Sequence, residues 1–284
     1  MNPQQKSGKQ YKDTIFRLLY SNPKYAIELC NALEGTNYPD SAEVMLCDLD
    51  NSLHRRYNDA AFAVENQLIV MIEQQSTINP NMPLRLLPFI TDALYAWFID
   101  MKEIYKSRQY KIPAPKFYVL YNGIDKLQAD TLRLSDAFKL DAQGNTLELT
   151  VKVIDINYKN NHETLEKCIT LKGYSYLVQQ IRTKMNEGKT RDQAIHAAIE
   201  QCIAEDVLRE FLERNFAEVA KMFTLEYDQK LEHAALLEEG REEGLERGLL
   251  IAAVKLIKRG MTLQEITSVL ELTEAQVEVL QNSY

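Results

Sequence analysis

Two apolar runs separated by a short polar break constrain this chain more than any other feature. Ala60 to Val64 (AAFAV) precedes Glu65-Asn66-Gln67, and Leu68 to Ile72 (LIVMI) follows it. Short runs rich in branched residues and bounded by polar breaks read as strands, and so short a connection makes them a β-hairpin. With the loop centred on Asn66, each position pairs with its mirror image about that residue. Asp59, at the end of Arg55-Arg56-Tyr57-Asn58-Asp59, then stands opposite Glu73, which closes the second run. Directly opposed residues share a sheet face, with Cβ atoms about 5 Å apart. Strand side chains alternate, so Gln75 joins the face of Glu73 and Gln74 points away. Two carboxylates and an amide oxygen converge, the ligand chemistry of a hard divalent cation. Two carboxylates at that spacing repel unless a cation or proton neutralises them. The expectation depends on register. A loop one residue longer or shorter places the acids on opposite faces, where they are ordinary acidic residues at strand ends.

Composition bounds the rest. The 284 residues are 45% hydrophobic and 26% charged, as in a globular protein with a substantial core. The length suits one large domain or two smaller ones. No apolar stretch approaches the roughly 20 residues of a membrane helix, so no membrane partner is expected. The polar start MNPQQKSGKQ has no apolar core of a secretory signal. Cys30, Cys47, Cys168 and Cys202 form no CxxC pair and read as free thiols of a cytoplasmic protein. His54, His162, His196 and His233 lack the spacing of zinc ligands. The net charge of −8 argues against nonspecific coating of nucleic acid, which needs phosphate neutralisation. A nuclease remains open because the charge is uneven. Lys6, Lys9, Lys12, Arg17 and Lys24 form one basic group and Lys102, Lys106, Arg108, Lys111 and Lys116 a second, while the acid excess lies around 226–246. Each basic group taken singly also fits a solvated helix face.

The order of elements reads as a mixed α/β layer structure. A helix is expected over 11–33, broken and restarted at Ser21-Asn22-Pro23, and a short strand over 43–46. After the hairpin, Asn79-Pro80-Asn81-Met82-Pro83 signals a turn and helix entry. One long apolar helix follows over 84–106, kinked or delayed by Pro88. Phe117 to Tyr121 (FYVLY), stopped by Asn122-Gly123, and 147–156 read as strands. Beyond residue 160 the pattern becomes helical over 163–185, 190–204 and 206–222, with Thr190 a candidate cap. The spacing divides the chain into a core at 1–160, a helical extension at 161–237, a charged glycine-punctuated linker or helix at 238–248, and a small helical tail at 249–284. Gly240, Gly244 and Gly248 recur every four residues and would line one side of a helix, consistent with close helix approach or a solvated linker. In the tail, Thr262 with Glu265 and Thr273 with Gln276 fit the capping box. The layout is like a helix-turn-helix, open to DNA reading. The last helix has no Lys or Arg and carries acids at 274 and 278, after Glu271, which favours packing or partner binding.

An ordered series of segments resembles the Rpn family of recombination-promoting nucleases and transposase-like proteins, a branch of the PD-(D/E)xK nuclease superfamily. They are Lys12-Asp13-Thr14-Ile15-Phe16-Arg17, Asn58-Asp59, Glu73-Gln74-Gln75-Ser76, Met82-Pro83-Leu84-Arg85-Leu86-Leu87, Phe117 to Gly123, Leu134-Ser135-Asp136-Ala137-Phe138, Val153-Ile154-Asp155-Ile156-Asn157 and the EEGREEG stretch. Together they cover most of the chain.

The resemblance implies a restriction-endonuclease-like core, a central mixed sheet flanked by helices, followed by an all-α C-terminal region. It implies metal-dependent hydrolysis of DNA phosphodiesters in recombination, mobile-element movement or phage defence. Asp59 and Glu73 would hold Mg²⁺ or another divalent cation, and Gln75 would position the attacking water. Gln75 occupies the place of the superfamily's lysine, a variation that the Rpn branch shares. A glutamine both donates and accepts hydrogen bonds but brings no positive charge. Asp13 is an auxiliary ligand or simply an early-helix acid favoured by the helix dipole. Arg85 either contacts the phosphate and its developing charge or is a surface ion-pair partner. Asp155 matches a family position without an assigned role. DNA is the expected partner, and a homodimer, through the C-terminal helices, is the expected assembly. A second reading is a catalytically weak or inactive DNA-binding or interaction protein on a nuclease scaffold.

Overall fold

A computed structural model of the chain describes residues 15–47, 60–65, 68–75, 78–139, 147–160, 162–273, 276–277 and 279–280. Asp13 and Asp59 lie outside the described residues. The chain forms two compact units, Met1–Thr224 and Leu225–Tyr284.

The first unit is mixed α/β, built on a six-stranded sheet. Its strands are β1 (Val44–Leu46), β2 (Ala60–Val64), β3 (Leu68–Gln75), β4 (Ala114–Tyr121), β5 (Thr131–Arg133) and β6 (Thr150–Asp155), in the spatial order β1-β2-β3-β4-β6-β5. The β2–β3 hairpin has the register that a loop centred on Asn66 predicts, from Val64 opposite Leu68 to Ala60 opposite Ile72. Glu65, at φ 55°, begins the reversal. It donates its backbone N–H to the Glu43 carbonyl, and its carboxylate accepts from the Glu43 N–H at 2.9 Å. This exchange ties the turn to the start of β1. In the centre of the sheet β3, β4 and β6 run parallel, whereas β1 and β5 are antiparallel edges.

Alternation divides the sheet's residues between two apolar layers. Ala61, Ala63, Phe117, Val119, Tyr121, Val151 and Val153 are buried in one core with Met82, Leu86, Phe89, Ile90 and Ala93 of α3 (Met82–Trp97). Phe62, Val64, Tyr118, Leu120 and Ile154 are buried on the opposite face. On that side α1 (Ile15–Tyr20) and α2 (Pro23–Glu34) contact the sheet. The Tyr118 hydroxyl bonds Glu34 of α2 and also reaches the Leu33 carbonyl at 3.4 Å.

The expected break at Ser21-Asn22-Pro23 is present, with the Asn22 side chain accepting from the Lys24 N–H. The expected helix over 84–106 is instead two helices. Trp97 ends α3, the N–H groups of Phe98 and Ile99 both turn back to the Leu94 carbonyl, and Asp100 caps a new short helix, α4 (Met101–Ile104). An aspartate that can accept from the N–H two residues on offers the backbone a local alternative to helix continuation. The 163–185 segment similarly divides at Cys168 into α5 (Glu163–Lys167) and α6 (Ile169–Asn186). Glu28 of α2 accepts from the N–H groups of Ile169 (2.6 Å) and Thr170, so a long-range carboxylate defines the start of α6. Gly173 lies where α6 meets the connection after α7: a Cβ there would stand 2.8 Å from Leu208 Cγ. Helix α7 (Arg191–Ala204) opens on Thr190 with a complete capping box.

Helix α8 (Arg209–Ile257) takes in the expected 206–222 helix from Arg209 onward, after Asp206 and Leu208 at φ 63° and 50°, and also the 238–248 segment, with a non-helical residue at Asn215. A Cβ on Gly240, Gly244 or Gly248 would meet nothing within 4 Å among the described residues, so these glycines do not form a tight helix contact there. In the second unit Ala253, Ile266, Leu272 and Leu280 form a small apolar core. Helix α9 (Leu263–Leu270) has the Thr262–Glu265 capping box, and Thr273 exchanges both expected bonds with Gln276. Among the described residues no helix is long and apolar enough to cross a membrane.

Candidate functional site at the carboxyl ends of the parallel strands

Parallel strands bring their carboxyl ends to one edge, where ligands of open α/β sheets commonly bind. Here Gln75, Tyr121 and Asp155 are successive register partners on β3, β4 and β6. Glu73 lies one row in, paired with Val119, which pairs with Val153. With strands about 4.8 Å apart, the backbone of Gln75 is roughly 10 Å from that of Asp155. The hairpin therefore delivers Glu73 and Gln75 to the same edge as Asp155, although about 80 residues separate them in sequence.

Asp155 anchors this edge. One carboxylate oxygen, Oδ1, accepts from the Asn157 backbone N–H (2.9 Å) and from Asn157 Nδ2 (2.8 Å). The other accepts from Asn160 Nδ2 at 2.6 Å. The bond to the N–H two residues on is the Asx-turn, which lets the chain leave β6 sharply. Asn157 also donates to the Gly123 carbonyl at 2.9 Å. Its amide oxygen accepts from Arg182 Nη1 of α6 at 3.1 Å, and Arg182 Nη2 donates to the Asn122 carbonyl. One guanidinium thus joins the chain just beyond β4 to the chain just beyond β6.

Two further features lie at this edge. Asn122 is only 4% exposed, and its Oδ1 is enclosed without a hydrogen-bond partner among the described residues, a costly state for a buried acceptor. Tyr121 is buried and donates its hydroxyl to the Asp125 carbonyl at 2.7 Å. Burial, with the nearby Asp125 and Asp155 carboxylates, raises its pKa and keeps the phenol neutral.

Asp155 combines three hydrogen bonds with a fixed place in a turn, which is the arrangement of a structural anchor. Arg85 is half-buried on the first turn of α3, and its Nη1 lies 3.2 Å from Met82 Sδ. Glu73 and Gln75 are located by strand register, while Asp59 and Asp13 lie outside the described residues. Among the described residues no three His, Cys, Asp or Glu side chains group as a metal ion would require. Asn157, Asn160 and Arg182 were not legible as site residues. Asn157 and Asn160 show only as polar residues after a strand, and Arg182 is one cation within a long helix.

No family model, curated protein or solved structure matches the chain.

Proposed function

We propose that this chain is a metal-dependent DNA endonuclease with a restriction-endonuclease-like core, as the Rpn-like segments imply. The observation that carries the reading is the β2–β3 register. Its last described pair is Ala60 with Ile72; Asp59 lies outside the described residues, and the mirror rule about Asn66 would pair it with Glu73. The donor set that results, two carboxylates and an amide, suits Mg²⁺ or another hard cation. Such an ion, when bound, lowers the pKa of a coordinated water and polarises a phosphoryl oxygen. Asp59 and Glu73 would hold it, and Gln75 would orient the attacking water. Asp13 and Arg85 are the auxiliary candidates. The mixed sheet with its parallel centre and helices on both faces supports the proposed core. Recombination, mobile-element movement and defence are all uses open to such an enzyme, in a cytoplasmic setting and as a homodimer.

The second reading, a binding or interaction protein on the same scaffold with weak or no cleavage, rests on Gln75. It provides no cationic charge to oppose the negative charge that develops on phosphate in the transition state. The two readings separate on supercoiled plasmid. An endonuclease nicks it with Mg²⁺, fails to nick it in chelator, and loses nicking in Asp59→Ala and Glu73→Gln. Equal nicking by wild type and both variants overturns the site. Absence of nicking with any divalent cation supports the scaffold reading.

A further inference from the structure

We infer that the segment between α3 and β4 is a binding surface for single-stranded nucleic acid, separate from the candidate catalytic edge. Residues 101–112 expose almost every side chain, including Lys102, Lys106, Arg108 and Lys111. Glu103 is the sole carboxylate in that stretch. It is paired with Lys106 and with Arg108 at 2.6 Å. These bonds hold its pKa below the ordinary carboxylate value, so it stays ionised and offsets part of that charge. A net positive segment remains on a chain whose overall charge is −8. Asp100, just before it, turns its carboxylate to the Lys102 N–H at 2.8 Å as the cap of α4.

Among these cations stands Tyr105, 81% exposed, with Met101 at 48% and Ile112 at 42%. Single exposed apolar side chains are ordinary. An exposed aromatic ring within a run of cations is the combination used for single strands, where bases stack on the ring and Lys or Arg follows the phosphates. The segment is also ordered. Tyr110 donates its hydroxyl to the Phe98 carbonyl at 2.9 Å, and Ile99 and Lys106 close short backbone turns. Tyr105 is therefore presented on a closed loop, which lowers the ordering cost of binding. Helix α4 has four residues, too few to lay an amphipathic face into a membrane interface.

Position separates this surface from the carboxyl-end site. The segment enters β4 at Ala114, the register partner of Leu68, whereas Gln75 pairs with Tyr121 at the far end. Seven strand residues at about 3.3 Å each place the two ends roughly 23 Å apart. A strand held at the loop can thus be retained independently of chemistry at the other edge, and the inference does not need the nuclease reading.

The test is binding of fluorescent oligothymidylate, of about twenty nucleotides, to the full chain in chelator, followed by anisotropy. Tyr105→Ala is expected to weaken binding roughly tenfold, whereas Tyr105→Phe retains it. Lys102→Gln and Lys111→Gln should each reduce the slope of log affinity against log salt by about 0.7. Lys189→Gln, in the connection before α7, should leave affinity unchanged. Wild-type affinity in Tyr105→Ala, or an equal loss in Lys189→Gln, overturns the proposal. So does equal binding of a duplex of the same length. Because no cleavage enters the measurement, its failure is distinct from failure of the plasmid assay.

Discussion

Arg182 of α6 holds the Asn122 carbonyl and the Asn157 amide oxygen with the two ends of one guanidinium. Two strands that run parallel need not end in a fixed relation, because nothing in their ladder governs the loops beyond it. Here a single planar fork sets the loop after β4 against the loop after β6, with Gln75 the register partner of Tyr121.

Removing that fork leaves the carbonyl of buried Asn122 and the amide oxygen of half-buried Asn157 without this donor. Arg182→Ala is expected to cost about 2 kcal/mol, the range for hydrogen bonds from a charged donor, read as a lower urea midpoint at unchanged slope. Arg182→Lys should recover only part of the loss, because an ammonium cannot span both acceptors as a fork does. An unchanged midpoint would show that the strand ends are held by the Asp155 turn alone.

Gln75 separates catalytic from purely structural roles at the same edge. In the proposed endonuclease, Gln75→Ala should reduce plasmid nicking by roughly tenfold to a hundredfold through misplacement of the attacking water. Gln75→Lys, which supplies the charge that glutamine lacks, should retain nicking. Melting temperatures near wild type in both variants would assign the change to chemistry; nicking at the wild-type rate in Gln75→Ala would remove Gln75 from the site.

Glu28 acts on folding rather than on the site. Its carboxylate accepts the first N–H groups of α6 and bonds the Thr170 hydroxyl, where a negative charge also meets the favourable end of the helix dipole. Glu28→Ala should destabilise the first unit by about 1–2 kcal/mol. Glu28→Gln keeps an acceptor oxygen and should lie between. Chemical denaturation of the three proteins orders them directly.

The four thiols provide a pH prediction. Cys30, Cys47, Cys168 and Cys202 are buried and free, and burial pushes each up to about 12 from the ordinary value of about 9. A group raised in the folded state stabilises fully below its unfolded pKa. That contribution falls as pH rises toward the folded value, because the unfolded chain releases its protons first. Denaturant midpoints should therefore be lower at about pH 10 than at about pH 7. Native thiols should resist alkylation by iodoacetamide while unfolded ones react. Rapid native alkylation of any of the four would place that thiol outside the core.

Much of this architecture was legible along the chain because it follows from local chemistry. The hairpin register came from two apolar runs and a short polar break. The Thr262 and Thr273 caps came from Thr–x–x–Glu/Gln spacing, the Thr190 cap from a threonine standing just before a helical run, and the α1–α2 break from Asn22-Pro23. The two divided helices were not legible in the same way. The end of α3 depended on Asp100 choosing its own backbone, and the start of α6 on Glu28, about 140 residues distant. Neither alters the helical periodicity of the apolar residues.

The site shows the same division. The sequence by itself determined that positions 73 and 75 share a strand face and that the β2–β3 register is centred on Asn66, because strand alternation and hairpin pairing are local rules. Only the tertiary structure decided that β3 lies beside β4 and β4 beside β6, bringing Gln75, Tyr121 and Asp155 to one edge under Arg182. Strand order and the reach of a guanidinium across loops are set by which apolar faces bury together and which buried acceptors need donors, and no local spacing encodes either.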